Sequence, residues 1–357
     1  QGMAMLSLAY LLLDRPMQRR FATDPQFQAT MLLLQERIPV ATALHRQTPD
    51  LAEARPLSVG PETPMRVLTH ADTRVPEVQL LSNGRYHVMV TNAGGGYSRW
   101  KDLAVTRWHE DGTRDNWGMF CYLRDVATGA FWSTAHQPTL KQADTYEAIF
   151  SEGRAEFRRR DHDIETHTEI VVSPEDDIEL RRIHITNCAR VRRTIEITSY
   201  AEVVLAAPAA DALHPAFSNL FVQTEILRDR QAILCTRRPR SVDEHLPWMF
   251  HQMAVRDVPA TAVSYETDRM RFIGRTRSVD SPLAMTEAGA LSGSEGSVLD
   301  PIVAIRCRIT LEAEQTATVD VVSGIATARQ EALGLIGKYG DRHLSSRVFD
   351  LAWTHSW

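Results

Sequence analysis

Residues 177–187 read DIELRRIHITN. Apolar Ile178, Leu180, Ile183 and Ile185 alternate with polar Glu179, Arg181, Arg182 and His184, the period of a strand with one buried face. The alternation slips once, at 181–182, and that slip predicts a β-bulge. The same texture extends outward from about residue 66 to 324. Runs rich in β-branched and aromatic residues recur, among them 86–91 (YHVMVT), 103–108 (LAVTRW), 145–151 and 163–173. Turn signals separate them, such as Ser82-Asn83-Gly84, Glu110-Asp111-Gly112 and Ser151-Glu152-Gly153. Many short strands with few helices predict a mainly β fold, a large antiparallel two-sheet sandwich rather than a barrel.

Helical texture flanks this region at both ends. Residues 3–14 and 26–37 read as helices before it, with Pro16 opening a further helical run, and 327–340 and 341–353 read as helices after it. Between them, 38–65 carries Pro39, Pro49, Pro56, Pro61 and Pro64 and reads as a linker. The expected division is therefore 1–38, 39–65, 66–324 and 325–357. The chain opens at Gln1-Gly2-Met3 and ends near Leu351-Ala352-Trp353, both inside helical patterns, so a piece of a longer protein is expected.

The 357 residues are 43% hydrophobic and 24% charged, an ordinary globular composition. A formal net charge of −5 argues against nucleic acid as a partner. Cys121, Cys188, Cys235 and Cys307 are widely spaced, with no CxxC pair. They read as reduced thiols in a reducing compartment, not as a zinc or disulfide framework. No run of about 20 apolar residues exists to span a membrane.

The stretch most suggestive of function is AGGGYSRW, 93–100. A P-loop needs a Gly-Lys-Ser/Thr at the mouth of a helix. Here Tyr97-Ser98-Arg99 follows Gly96, and a strand comes next, so a nucleotide is not expected. Gly94, Gly95, Gly96, Tyr97, Ser98, Arg99 and Trp100 read instead as a ligand-facing loop. Its aromatics could stack on sugar rings and its arginine could hold hydroxyls. A second candidate is the end of a long Ala/Pro-rich connection, His214 to Ser218.

Three weaker patterns are better explained as structure. Glu165, His167 and Glu169 share a strand face, but inward Ile164, Thr166, Thr168 and Ile170 make that a solvated face, and no metal is expected. Asp161-His162-Asp163 is a three-residue DxD match at a turn. Mutarotase chemistry would need a His and a carboxylate acting together; His214 and Glu202 are the available types, unpaired in sequence.

Long stretches resemble a family. LSNGRYHVMVTNAGGGYSRWKDLAVTRWHEDGTRDNWG (81–118), VVSPEDDIELRRIHITN (171–187) and ITSYAEVVLAAPAADALHPAFSNLFVQTE (197–225) resemble the bacterial cyclic β-1,2-glucan synthases. The resemblance is to their part related to cellobiose and chitobiose phosphorylases. Residues 1–38 resemble the end of the preceding glucoamylase-like domain. The resemblance implies that 66–324 is a β-supersandwich of galactose-mutarotase-like type and that 325–357 leads to an (α/α)6 barrel outside this chain. In relatives the catalytic aspartate lies in that barrel and inorganic phosphate is the nucleophile, while a membrane-embedded domain uses UDP-glucose. No catalytic residue and no cofactor is therefore expected here. The implied partners are β-1,2-glucan, the barrel and the glucoamylase-like domain of the same protein, and a second copy as a homodimer. The implied location is the cytoplasmic side of the bacterial inner membrane. The alternative is a scaffold or dimerisation module with no glycan contact.

Overall fold

The computed structural model describes residues 2–23, 65–239 and 246–354. The chain divides into two compact units, Gln1–Pro61 and Glu62–Trp357. The first contains helices α1 (Gly2–Leu12) and α2 (Pro16–Thr23). Pro16 opens α2, where its missing N–H costs nothing. The expected helix over 26–37 and the linker over 38–64 lie outside the described residues.

The second unit has eighteen strands among the described residues. They are β1 (Arg66–Leu68), β2 (Val78–Ser82), β3 (Tyr86–Thr91), β4 (Gly96–Trp100), β5 (Leu103–Thr106), β6 (Met119–Asp125), β7 (Phe131–Ser133), β8 (Thr145–Ser151) and β9 (Arg154–Asp161). They continue with β10 (Ile164–Val172), β11 (Ile178–Asn187), β12 (Arg193–Ala206), β13 (Val222–Leu227), β14 (Ala232–Arg237), β15 (Trp248–Arg256), β16 (Thr261–Asp268), β17 (Pro301–Leu311) and β18 (Thr316–Ala326). One nine-stranded sheet runs β1-β8-β9-β10-β11-β18-β15-β14-β13; the other runs β16-β17-β12-β5-β4-β3-β2, with β6 beside β12 and β7 beside β6. The pairings are antiparallel, and the two sheets close on a shared apolar core that includes Val88, Phe157, Ile183, Ile197, Ile305 and Val321. This is the expected two-sheet sandwich.

Two further apolar layers lie outside the sheets. Short helices between β12 and β13 are α3 (Pro208–Leu213) and α4 (Pro215–Asn219); α5 (Arg269–Ile273) and α6 (Leu283–Thr286) follow β16. Phe272, Ile273 and Met285 from the last two cover Phe120, Tyr122 and Tyr200 on the second sheet. At the end of the unit, α7 (Arg329–Gly340) and α8 (Arg342–Thr354) lay Ile336, Tyr339, Val348 and Phe349 over the first sheet. Each such fully buried side chain contributes about 1.5–3 kcal/mol.

That last layer corrects the expected bulge at 181–182. The ladder of β11 is continuous, from Ile178↔Gly324 to Thr186↔Thr316 on one side and from Val172↔Glu179 to Ile164↔Asn187 on the other. Ile183 and Ile185 face the inter-sheet core, whereas Ile178 and Leu180 face outward beneath the helices. The apolar face changes sides because helices bury the outer face of the strand's first half. Glu179 and Arg181 consequently point between the sheets. The register irregularities fall elsewhere, between Val203 and Ala206 of β12 and within β16.

Candidate functional site

The glycine run does not form the loop expected over 94–100. Only Asn92–Gly95 is a turn, closed by Gly94 N–H to Thr91 O at 2.9 Å and Thr91 N–H to Gly95 O at 2.8 Å. Gly96 already belongs to β4, and all three glycines are buried. A Cβ on Gly94 would lie 2.3 Å from Ala135 Cβ, one on Gly95 2.0 Å from Asp115 Oδ1, and one on Gly96 1.9 Å from Met89 O. The glycines do admit a close approach, but what approaches is the chain itself. Gly94, Gly95 and Gly96 are therefore corrected from ligand-facing to packing positions.

Strand alternation then divides the rest of the motif. Ser98 points inward and donates to Glu179 Oε1, which also accepts from Tyr86 Oη at 3.2 Å. Trp100 Nε1 donates to Asp177 Oδ2 at 2.6 Å. Tyr97 and Arg99 point the other way, onto the outer face of the second sheet. With Leu80, Ser82, His87 and Lys101 they line a shallow hollow of about 350 Å³. Trp108 meets Tyr97 edge-on at 5.7 Å between ring centroids and is 40% exposed. His87 stands opposite Arg99 in register and its Nδ1 is 2.7 Å from Ser82 Oγ. Arg99 Nε is buried with no hydrogen-bond partner. The face thus combines aromatic surface with a guanidinium holding spare donor capacity, a combination suited to a polyhydroxylated ring.

The turn also backs a deeper cleft that the sequence did not reveal. Asp72, Arg74, Asn92, Arg114, Asp115 and His136 line a space of about 530 Å³. Asp115 rests on Gly95 and accepts from the Thr91 hydroxyl. Burial pushes its carboxyl up to about 6, partly opposed by that hydroxyl. Burial and the nearby Arg159 hold the His136 imidazole below its ordinary range. Asp115 lies in an unremarkable TRDNWG stretch, and only the missing Cβ of Gly95 explains its environment.

In the second sequence candidate, His214 separates α3 from α4 and Ser218 lies within α4. His214 is exposed. Ser218 is buried, and Arg237 donates to its carbonyl at 3.1 Å and its hydroxyl at 3.4 Å, which corrects it from a ligand contact to an anchor. Arg107 pins the same connection. It donates to Glu202 Oε2 at 2.7 Å, to both oxygens of Asp211 at 3.1 and 3.2 Å, and to Asn219 Oδ1 at 2.6 Å. The other Glu202 oxygen accepts from Arg269 Nε at 2.7 Å and Tyr200 Oη at 3.0 Å. Glu202 is thus consumed by two guanidinium groups and is not placed as an acid–base partner for His214. The DxD match is likewise structural: Asp161 is buried against Arg159 at 2.6 Å, and His162 and Asp163 form a tight turn with φ of 50° and 61°.

The architecture is that of a mainly β supersandwich with helices laid on both sheets. Residues 61–342 match the family described as glycosyl hydrolase 94, supersandwich domain, and the chain belongs to that family. It is 34% identical over 358 aligned residues, 99% of its length, to the cyclic β-(1,2)-glucan synthase NdvB of Rhizobium meliloti (strain 1021), of which it covers 13%. It is 26% identical over 280 residues to an N,N'-diacetylchitobiose phosphorylase of Vibrio furnissii, covering 77% of this chain and 34% of that protein. The chain therefore spans a minor part of these relatives. Among solved structures, an Escherichia coli K12 protein assigned as an aldose 1-epimerase aligns over 71% of this chain and 100% of its own, with 8% identity and a TM-score of 0.40. The chain is a supersandwich related to glucan synthases and glycoside phosphorylases. No described helix is long and apolar enough to cross a membrane.

Proposed function

We propose that this sandwich is the carbohydrate-contacting, non-catalytic part of a cyclic β-1,2-glucan synthase. It would serve a phosphorylase-like barrel that acts on β-1,2-glucan and sets its length, on the cytoplasmic side of the inner membrane. The glycan lies along the outer face of β2, β3 and β4. Tyr97 and Trp108 present ring faces and edges to it, and Arg99 with His87 supplies hydrogen bonds.

The observation that carries the reading is the hollow itself, in which the guanidinium of Arg99 and the ring of Tyr97 line one open face beside His87. A guanidinium fork offers several donors to sugar hydroxyls while a neighbouring ring packs on the C–H face of the sugar, so the pairing suits a glycan. Linear β-1,2-glucan titrated into the chain by calorimetry tests this. Tyr97→Ala and Arg99→Ala should each weaken binding by about 1–2 kcal/mol, roughly five- to thirtyfold. Binding that both variants leave unchanged overturns the assignment of the face. Absence of binding by the unsubstituted chain leaves the scaffold reading standing.

A further inference from the structure

Behind the Gly94 turn, between the two sheets, lies a small interior cavity. It measures about 20 Å³, and Gly94, Gln137, Thr168, Arg181, Ile183 and Ser199 stand in its wall. Gln137 also lines the cleft on the other side of the turn. A cavity needs about 10–15 Å³ on this scale to hold one water molecule. Apolar cavities stay dry, so the content of this one is decided by the polar groups that face it.

Two of those groups are unmet. Thr168 is 4% exposed and Gln137 7% exposed. Thr168 Oγ1 and Gln137 Oε1 are buried with no hydrogen-bond partner among the described residues. Strand alternation turns Thr168 inward, between Thr166 and Ile170 on the core face of β10. Gln137 is anchored through its backbone, whose N–H donates to Ala93 O at 2.8 Å. A third group has capacity to spare. Arg181 donates from Nε and Nη2 to Glu179 Oε2 at 3.1 and 3.0 Å, and from Nη1 to Met119 O at 2.7 Å. A guanidinium carries five N–H bonds, so one on each Nη is left over. Ser199 is already engaged: Ile305 N–H donates to its Oγ at 3.1 Å, and His251 Nε2 lies 2.8 Å from it.

We propose that this cavity is a binding site for one ordered water molecule that joins Thr168 Oγ1, Gln137 Oε1 and an Arg181 Nη. The water accepts from the guanidinium and donates to the amide oxygen. With the Thr168 hydroxyl it bonds in either direction, since each can donate and accept. Three polar partners are the usual number for a buried water. A neutral molecule suits the site better than an anion, because Glu179 already balances the charge of Arg181 and Gln137 Oε1 is an acceptor. The water ties β10 and β11 of the first sheet to the segment His136–Pro138, which lines the cleft. This inference is independent of the glycan-contacting face.

The test is a crystal structure of the chain at a resolution that shows ordered water, with magnetic relaxation dispersion of the water signal in solution. One density peak should lie within hydrogen-bonding distance of Thr168 Oγ1, the Gln137 amide and Arg181, and one long-lived water should be counted. Thr168→Val keeps the shape and removes the hydroxyl, and should shorten the residence of that water about fivefold. Adding Gln137→Met should abolish the signal. Circular dichroism checks that both variants are folded. Two further soaks of the unsubstituted crystal separate the other occupants. Xenon under pressure enters dry apolar cavities and should stay out. Bromide, located by its anomalous signal, should also stay out. An empty cavity, a xenon atom or a bromide ion in it, or a long-lived water that the double variant leaves intact overturns the proposal.

Discussion

Glu179 and Arg181, two residues apart on one face of β11, form an ion pair sealed between the two sheets. Arg181 Nε and Nη2 donate to Glu179 Oε2 at 3.1 and 3.0 Å, and Nη1 donates to Met119 O at 2.7 Å. Tyr86 and Ser98 complete the shell of Glu179 from the opposite sheet. Burying two charges costs as much as their attraction returns, but removing one leaves the other stranded. Glu179→Ala should therefore destabilise the chain by about 3–5 kcal/mol, and the double replacement Glu179→Leu with Arg181→Met should recover much of that loss. Urea unfolding of the three variants measures it. A single variant as stable as the parent would mean that the pair is hydrated.

Ser98 follows from the same pair. Its hydroxyl belongs to the interior, not to a ligand face. Ser98→Ala should cost about 1–3 kcal/mol, because a buried carboxylate loses a donor. Glycan affinity should stay at the parent value, in contrast to Tyr97→Ala. Calorimetry beside denaturant titration separates the two readouts.

What the sequence disclosed depends on how many faces of a segment are buried. Strands with one wet face, such as 86–91 and 163–173, announce themselves by simple alternation. β11 does not, because α7 and α8 cover half of its outer side and turn alternation into an apparent slip. β9 reads as an arginine cluster, RAEFRRRD, yet Arg159 is fully buried through its ion pair with Asp161 and its bonds to the carbonyls of Ala135 and Lys141. The glycine run was legible as a close approach but not as an approach by Asp115, which is twenty residues later. Of the candidate site, Tyr97 and Arg99 were in view. Asp115, His136 and His87 became visible only once the turn and register were known.

The steric argument at Gly95 is directly testable. Gly95→Ala pushes a methyl into the Asp115 carboxylate, which the Thr91 hydroxyl holds in place. The variant should lose about 1–3 kcal/mol, the usual cost of overpacking. Gly112→Ala, with nothing within 4 Å of its added Cβ, should change stability by less than about 0.5 kcal/mol. Thermal melts of the pair decide between packing and general glycine flexibility.

Asp115 should also impose a pH dependence. Its folded carboxyl sits at about 6, above an unfolded value of about 3.9. A carboxyl raised on folding binds its proton more tightly in the native state. Its contribution is thus most favourable in acid and is lost as pH rises from about 4 through 6. At pH 7 the ionised form costs roughly 2–3 kcal/mol. Asp115→Asn should therefore stabilise the chain above pH 7, with little effect near pH 4. Melting curves at both ends of this range check the sign, and a variant stabilised equally at both would refute the assignment.

The connection between β12 and β13 offers the sharpest contrast between an exposed candidate and a buried anchor. Arg107 is held by Glu202, Asp211 and Asn219, and its charged form is stabilised further by the two carboxylates. Arg107→Met leaves Asp211 buried without its cation and Glu202 with Arg269 alone, which should cost about 3–5 kcal/mol. Adding Asp211→Asn removes the stranded charge and should restore part of the loss. Exposed His214, only three residues from Asp211, should tolerate alanine within about 0.5 kcal/mol. Hydrogen exchange at the Ser218 amide, which donates to His214 O at 2.9 Å, should accelerate in Arg107→Met and stay slow in His214→Ala. Acceleration in both variants would make the histidine, not the arginine cluster, the element that holds this connection on the sheet.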